Sequence, residues 1–412
     1  MTGMKFNVLA QVGLSLIALI SSIGFCHESL IFASEPPQET QVKIISNPKH
    51  PAPPDGKKKR IIFEEELTIG AVEGDENYMF GDYIVFNTDD EGDFYITDWD
   101  RKRIQKYSPD GEFLLTIGKR GQGPGEFGNL SIARFDSRQL LYVTDIANHR
   151  INFFDKAGNF FEQITIPDVF ENLYINSKGQ YISSRSRFAE SEYGFSAFLL
   201  EWGIYDSQFK LISEFYSEKR DRKPPEGQDV SSRAKFVAGI LSELAFQPFP
   251  YYVVTDDDMV YFGTRENYIV DVFSPAGEKV KSIRRDYDPI RVTDKDKEHF
   301  IINVAENLIR IYPEEVRKEA HKFIKYPKYK PAYSSFCLME NGWLVVVVDS
   351  LPGEGSLIDL FDQEGVYVGH FKTDIPSENL FFKNGRAYAV DEKDNYKFAK
   401  RYRFRIVEEE KR

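Results

Sequence analysis

Three observations in the sequence predict an all-β, six-bladed β-propeller closed by an N-terminal strand and carrying two helical insertions. A block of strand-like sequence recurs at an offset of 47 residues with no gap, and weaker copies follow it to the C-terminus. The last copy stops one strand short, while the first apolar segment after residue 60 reads as a lone final strand. Aromatic residues make up 15% of the chain's 412 residues, and aromatics favour strands.

The N-terminus reads as an export signal. Lys5 precedes an apolar stretch from Val8 to Phe25 that is too short and wrongly flanked for a spanning helix. Residues 1–33 are assigned to the signal peptide. Ser22 and Gly24 suit cleavage after Gly24, and Ala33 offers a second point; Met4 is an alternative start. Cys26 raises lipidation as another fate, although bulky Phe25 sits where an acylation box has a small residue. Residues 34–60 contain Pro36, Pro37, Pro48, Pro51, Pro53 and Pro54, and are expected to form an extended linker. The basic run Lys57 to Arg60 reads as a solvated stub. The propeller is expected over 61–412.

The clearest copies are Ile96–Gly118 and Val143–Thr165. They align Thr97 with Thr144, Asp98 with Asp145, Arg103 with Arg150, Ile104 with Ile151 and Gly111 with Gly158. Each reads as strand, polar turn, strand, glycine turn, strand. An aromatic just ahead of the turn marks every copy: Tyr107, Phe154, Tyr205, Phe273 and Phe361. The spacings are 47, 51, 68 and 88 residues, so the last two intervals hold large surpluses. The first surplus carries Phe236, Ile240, Leu241 and Leu244 at helical spacing, with Asp229 or Ser231 as cap, and predicts a helix near 229–246. The second predicts helices near 294–325, with Phe300, Val304, Leu308 and Ile311 as one stripe and Pro313 opening a second helix. Such stripes must pack on a blade edge or over a mouth of the axial channel, and one insert is expected to lid that mouth. A sixth copy starts near Asn379. The segment from Ile61 resembles the last strand of a repeat, and supplying it would close the ring and remove an exposed edge.

Composition excludes several functions. Lys+Arg 53 against Asp+Glu 65 leaves a net charge of −12, which lacks the basic footprint of a nucleic-acid binder. Two cysteines exclude a disulfide scaffold and a multi-cysteine metal site. Cys337, beside Phe336 and Leu338, reads as a core thiol.

Gly118–Gly128 (GKRGQGPGEFG) followed by the TD…NHRINFFD…G pattern resembles the NHL-repeat class of six-bladed β-propellers. The resemblance is strong over Gly92–Ile166 and fades to blade-like periodicity elsewhere. The segment KYPKYKPAYSSF ahead of Gly342-Trp343 is similar to a stretch of secreted bacterial six-bladed propellers with no assigned activity. The resemblance implies the fold and leaves function open. It also implies that Gly118–Gly128 is an inter-blade connection; the Lys-Ser/Thr and helix of a phosphate loop do not follow it.

Asp98 and Asp145 recur at one repeat position, and Asp349 and Asp391 also end strands. Repeated carboxylates can hold calcium, but each can equally accept N–H bonds in its own turn, and repetition favours that structural role. Asp256-Asp257-Asp258 reads as a solvated turn. Only His149 and His370 fall on blades, too few for the zinc site of amidating lyases of this fold. Calcium-dependent lactonases need an axial ring of acids and amides that no motif announces. The expected binding residues lie in the turns between second and third strands: Trp99, Arg101, Asn148, His149, Arg265 and Asn267.

The function favoured is a non-enzymatic binding or scaffold propeller without a cofactor. It would be exported to the periplasm or surface of a bacterium and recognise a protein, peptide or glycan. Contact with a membrane would come only through the signal segment or a lipid on Cys26. The alternative is a divalent-metal-dependent lyase or lactonase at the central channel.

Overall fold

Alternating apolar positions and glycine turns produce, among the described residues, 25 strands in six sheets. The computed structural model describes residues 42–351 and 355–409. The apolar leader, both cleavage points and Cys26 lie outside the described residues.

Two strands precede the first blade, β1 (Lys43–Asn47) and β2 (Lys59–Ile69). Blade 1 holds β3 (Ile84–Thr88), β4 (Phe94–Asp98), β5 (Arg103–Tyr107) and β6 (Phe113–Ile117). Blade 2 holds β7 (Arg134–Phe135), β8 (Leu141–Asp145), β9 (Arg150–Phe154) and β10 (Phe160–Thr165). Its β8 and β9 repeat β4 and β5 at the 47-residue offset. Gly111 and Gly158 close the third turns at φ 84° and 83°, a region open to glycine at little cost.

Blade 3 consists of β11 (Val169–Ile175), β12 (Tyr181–Ala189), β13 (Ser196–Tyr205) and β14 (Leu211–Arg222). Blade 4 contains β15 (Tyr251–Val254), β16 (Val260–Gly263), β17 (Ile269–Phe273) and β18 (Lys279–Arg285). Blade 5 contains β19 (Ser335–Leu338), β20 (Leu344–Leu351), β21 (Gly355–Phe361) and β22 (Tyr367–Thr373). Blade 6 contains β23 (Phe381–Lys383), β24 (Arg386–Lys393) and β25 (Tyr396–Glu408).

The N-terminal strand closes the ring as expected. β2 pairs antiparallel with β25 from Lys59↔Glu408 to Ile69↔Ala399 and becomes the fourth strand of blade 6. The marker aromatics are buried at the ends of third strands, with Tyr107, Tyr205 and Phe361 fully enclosed. Each such ring contributes roughly 1.5–3 kcal/mol of burial.

The expected extended linker takes a different form. Its residues 43–47 form β1, which adds parallel to β18 and makes blade 4 five-stranded. Asn47 then crosses to blade 5. Its amide donates to the Arg284 and Gly365 carbonyls at 3.1 and 2.9 Å and accepts from the Tyr367 N–H at 2.8 Å. Ala52 N–H donates to the Tyr367 carbonyl at 3.0 Å, so this strap runs over the edges of blades 4 and 5 before entering blade 6. The chain docks because sheet edges present unpaired backbone groups, which outweigh the proline signal for a free stalk.

Both inserts are helical. α1 (Val230–Leu244) starts at Asp229, whose carboxylate accepts the Ser232 N–H at 3.0 Å. α2 (Asp294–Phe300) opens with a Thr293/Asp296 capping box. It continues through a π-turn at Ile301–Ala305 into α3 (Glu306–Ile309), and α4 (Glu314–Ala320) follows Pro313. The π-turn inserts a residue into the helical register, so the buried stripe shifts from Leu308 and Ile311 to Ala305 and Ile309. Ile311 is left 68% exposed. The two inserts pack on each other, with Val237, Leu241 and Leu244 against Phe300, Val316 and Ala320. Among the described residues, no helix is long and apolar enough to cross a membrane.

Candidate functional site

The innermost strands, β3, β7, β11, β15, β19 and β23, surround an axial cavity of about 900 Å³. Antiparallel pairing fixes what its two ends meet. The turns between first and second strands gather at one mouth; the second turns and the blade-to-blade connections gather at the other. Both helical inserts are blade-to-blade connections and belong to the second mouth, yet no insert residue lines the cavity. The lid expected of them is therefore absent from the lining: their apolar faces are consumed by one another.

The wall combines rings and carboxylates. Tyr83, Trp99, Tyr142, Tyr174, Tyr251 and Tyr261 supply amphipathic rings, with Phe135 and Phe381 beside them. Burial pushes the Tyr142 and Tyr251 phenols well above the usual tyrosine range, so they stay neutral. Cys337 also lines the wall, and burial raises its thiol far above neutrality, which leaves it an inert small apolar group.

The first-turn mouth is acidic. Asp89, Asp90, Asp136, Asp256, Asp257, Asp258 and Glu340 border it, against one lysine, Lys383. Some of these acids build their own turns. Asp89 accepts the Glu91 and Asp93 N–H groups at 3.0 and 2.9 Å, and Glu340 accepts those of Asn384 and Gly385 at 2.8 Å. Asp258 departs from the solvated turn expected of it: it is buried, and accepts from Ser177 N–H and hydroxyl across the blade 3–4 boundary. Asp256 and Asp257 are exposed.

The carboxylates of Asp89, Glu91 and Asp93 come within 4.8 Å of one another. Lys106 pairs with Asp93 and Lys156 with Glu91, both at 2.9 Å, so two of the three charges a cation would neutralise already have partners, and Asp89 is taken up by its turn N–H groups. Asp98 and Asp145 are fully buried turn-builders. Asp145 accepts from Gly128 N–H, Asn129 N–H and the Asn148 amide at 2.6–3.1 Å.

Of the six binding residues expected from sequence, only Trp99 reaches the cavity. It packs edge-on to Tyr83 at 4.8 Å between ring centroids, and its buried Nε1 has no hydrogen-bond partner among the described residues. Arg101 folds back onto Asp98 at 3.3 Å. Asn148 is spent on Asp145 and the Gly121 carbonyl. His149 and Asn267 are exposed turn residues away from the lining. Arg265 is buried at φ 63° and donates to the carbonyls of Phe249 and Ser334, tying down both insert exits. Burial lowers its pKa to about 10, which still leaves it charged at neutral pH. His370 lies on β22, where its Nδ1 meets Asp359 at 2.6 Å, outside the cavity.

Sequence reasoning missed Arg134. It lies on the inner strand β7, is 8% exposed and lines the cavity. Its signal was a lone cation in the apolar run Leu130–Phe135. Its Nη2 donates to Asn172 Oδ1 at 2.6 Å, and its guanidinium stands 4.0 Å from the Tyr174 ring centroid. Asn172 adopts φ 52° at a bulge of β11, a conformation asparagine tolerates better than most residues.

A family model described as a 6-bladed beta-propeller matches residues 84–237. The chain is an all-β six-bladed propeller. No curated protein matches the sequence. Among solved structures, a candidate exported protein of Bacteroides fragilis is similar over 89% of this chain and 100% of its own, at 13% identity and a TM-score of 0.51. Virginiamycin B lyase of Staphylococcus aureus aligns over 84% of this chain and 99% of its own, at 10% identity and a TM-score of 0.41. A gluconolactonase of Xanthomonas campestris aligns over 76% and 82%, at 12% identity and a TM-score of 0.34. At these identities the likeness is one of fold.

Proposed function

We propose that this chain is an exported, non-enzymatic binding protein that takes a protein segment, peptide or glycan into its axial cavity. The observation carrying this reading is a cavity of about 900 Å³ walled by tyrosine and tryptophan rings next to a carboxylate-rimmed mouth. Rings with a polar tip offer large contact area at low entropic cost, and cavities of this size suit ligand capture. The leader from Val8 to Phe25 supports export, and the acidic mouth disfavours nucleic acid. This reading puts recognition in the channel rather than at the second turns: of the six expected residues Trp99 lines the cavity, while Arg101, Asn148 and Arg265 are engaged in holding the fold.

The test is fluorescence titration of the purified full chain with peptide and oligosaccharide panels. Saturable quenching is expected, reduced at least tenfold in affinity by Tyr174→Ala and absent in Trp99→Phe. Binding unaffected by both substitutions would place the site elsewhere. Release of a new product from a bound ligand would make the protein an enzyme and overturn the reading.

A further inference from the structure

We propose that Arg134 receives a carboxylate, and that the ligand of the cavity is a peptide held by its C-terminus. This inference rests on the cavity being the binding site. A guanidinium has five N–H donors and no acceptor. Arg134 uses Nη2 on Asn172, but Nη1 is buried and has no hydrogen-bond partner among the described residues. Trp99 Nε1 is a second buried, unpartnered group on the same wall, and indole too can only donate. Among the described residues, the buried lining side-chain atoms left without a partner are thus both donors, and a ligand seated against them would have to bring acceptors.

Arg134 is also held still. Its Asn172 partner is fixed in turn by Tyr252, whose hydroxyl donates to the Asn172 carbonyl at 2.7 Å. The Tyr174 ring covers one face of the guanidinium. A planar cation locked in this way, with Nη1 left unused, fits a carboxylate oxygen better than a flexible lysine would.

The mouth defines the rest of the ligand. Asp90, Asp256, Asp257 and Glu340 border it, so negative charge repeated along the ligand would be repelled. One anionic end followed by a neutral or basic body satisfies both the Arg134 guanidinium and the acidic rim. A peptide C-terminus has that form, and its backbone carbonyls supply an acceptor for Trp99. A polyuronate carries a charge on every sugar and does not fit.

The full chain would be panned against a random hexapeptide library with free C-terminal carboxylates, and against the same library C-terminally amidated. Free-acid peptides are expected to be enriched at least tenfold over amides, with Lys or Arg favoured upstream of the last residue. Arg134→Gln should abolish the difference. Equal capture of both libraries would overturn the proposal, as would free-acid preference that survives Arg134→Gln. Should that variant fail to fold, the amidated library still decides, because it leaves the protein unaltered. Oligosaccharide binding that quenches Trp99, with no peptide captured, would refute the carboxylate assignment while sparing the cavity as the site. No quenching by either class would refute both.

Discussion

The seam between blades 1 and 2 and the seam between blades 4 and 5 solve one problem with different chemistry. At the first, Arg150 of β9 donates to the carbonyls of Gln122, Gly123 and Glu126 in the glycine-rich connection at 2.8–3.0 Å. Arg103, 47 residues earlier, grips the Glu76 and Met79 carbonyls at the entrance to blade 1 at 3.2 and 3.0 Å. The device repeats because it needs only one arginine, backbone oxygens and the buried aspartate of the same repeat, Asp98 at 3.3 Å from Arg103 and Asp145 at 3.6 Å from Arg150. At the second seam the carboxylate of Asp359 on β21 is fully buried and gathers Arg285 at 2.8 Å, Tyr268 at 2.5 Å, Tyr367 at 2.7 Å and His370. A helical insert replaces the glycine-rich connection there, and the strap through Asn47 is laid across. One seam distributes its bonds over main chain; the other concentrates them on a single side chain.

The concentrated seam should break more easily. Asp359→Ala leaves Arg285, 9% exposed at its side chain, without its carboxylate, and a buried pair broken on one side costs about 3–5 kcal/mol. The midpoint of urea unfolding should fall accordingly. Arg150→Ala should cost less, about 2–3 kcal/mol, because Asp145 keeps its Gly128, Asn129 and Asn148 donors. If Arg150→Ala proved the more damaging, the contrast between the seams would be reversed. Asn47→Ala removes three hydrogen bonds between blades 4 and 5 without stranding a charge, and should cost about 1–2 kcal/mol. Hydrogen exchange should then accelerate at the Tyr367 N–H while blades 1 and 2 stay protected.

What could be read from sequence divides along the same line. Blades 1 and 2 were legible because the arginine clamp, the buried aspartate and the glycine turn recur at fixed spacing, so Arg103 and Arg150 announced each other. The strap was not, because the parallel pairing of Lys43–Asn47 with β18 joins residues more than two hundred positions apart and leaves no local pattern. The π-turn at Ile301–Ala305 shifted a helical face by one position, which periodicity alone does not foresee. Trp99 reached the cavity as a turn residue, but Arg134 did not stand out: an inner-strand cation looks like an interruption until six inner strands converge on one axis. Turn residues such as Asn148 and Arg265 read as free for recognition in the sequence, yet local hydrogen bonding claims both.

The ring's closing seam offers the gentlest test, because its charges lie nearer the surface. Glu65 and Glu66 on β2 face cations of blade 6. A hydrogen bond from Lys400 at 2.8 Å holds the Glu65 carboxyl below its usual range. Burial alone would raise Glu66, but hydrogen bonds from Arg386 and Arg403 outweigh it and leave that carboxyl lowered as well. Groups depressed on folding stabilise fully above the ordinary glutamate pKa, near ~4.3, and lose that contribution as the pH falls through their lowered values. Acidification should therefore loosen β2 against β25 before it touches the main-chain clamps of blades 1 and 2. For partly exposed pairs the effect is within about 1 kcal/mol. Hydrogen exchange at β2 amides, corrected for intrinsic rates, should rise on going from pH 5 to about pH 3, and Glu66→Gln should flatten that dependence. Equal acid sensitivity at the Gln122–Glu126 connection would show instead that acid loosens the whole ring, and that the closing strand is no weaker than the seams the repeat builds.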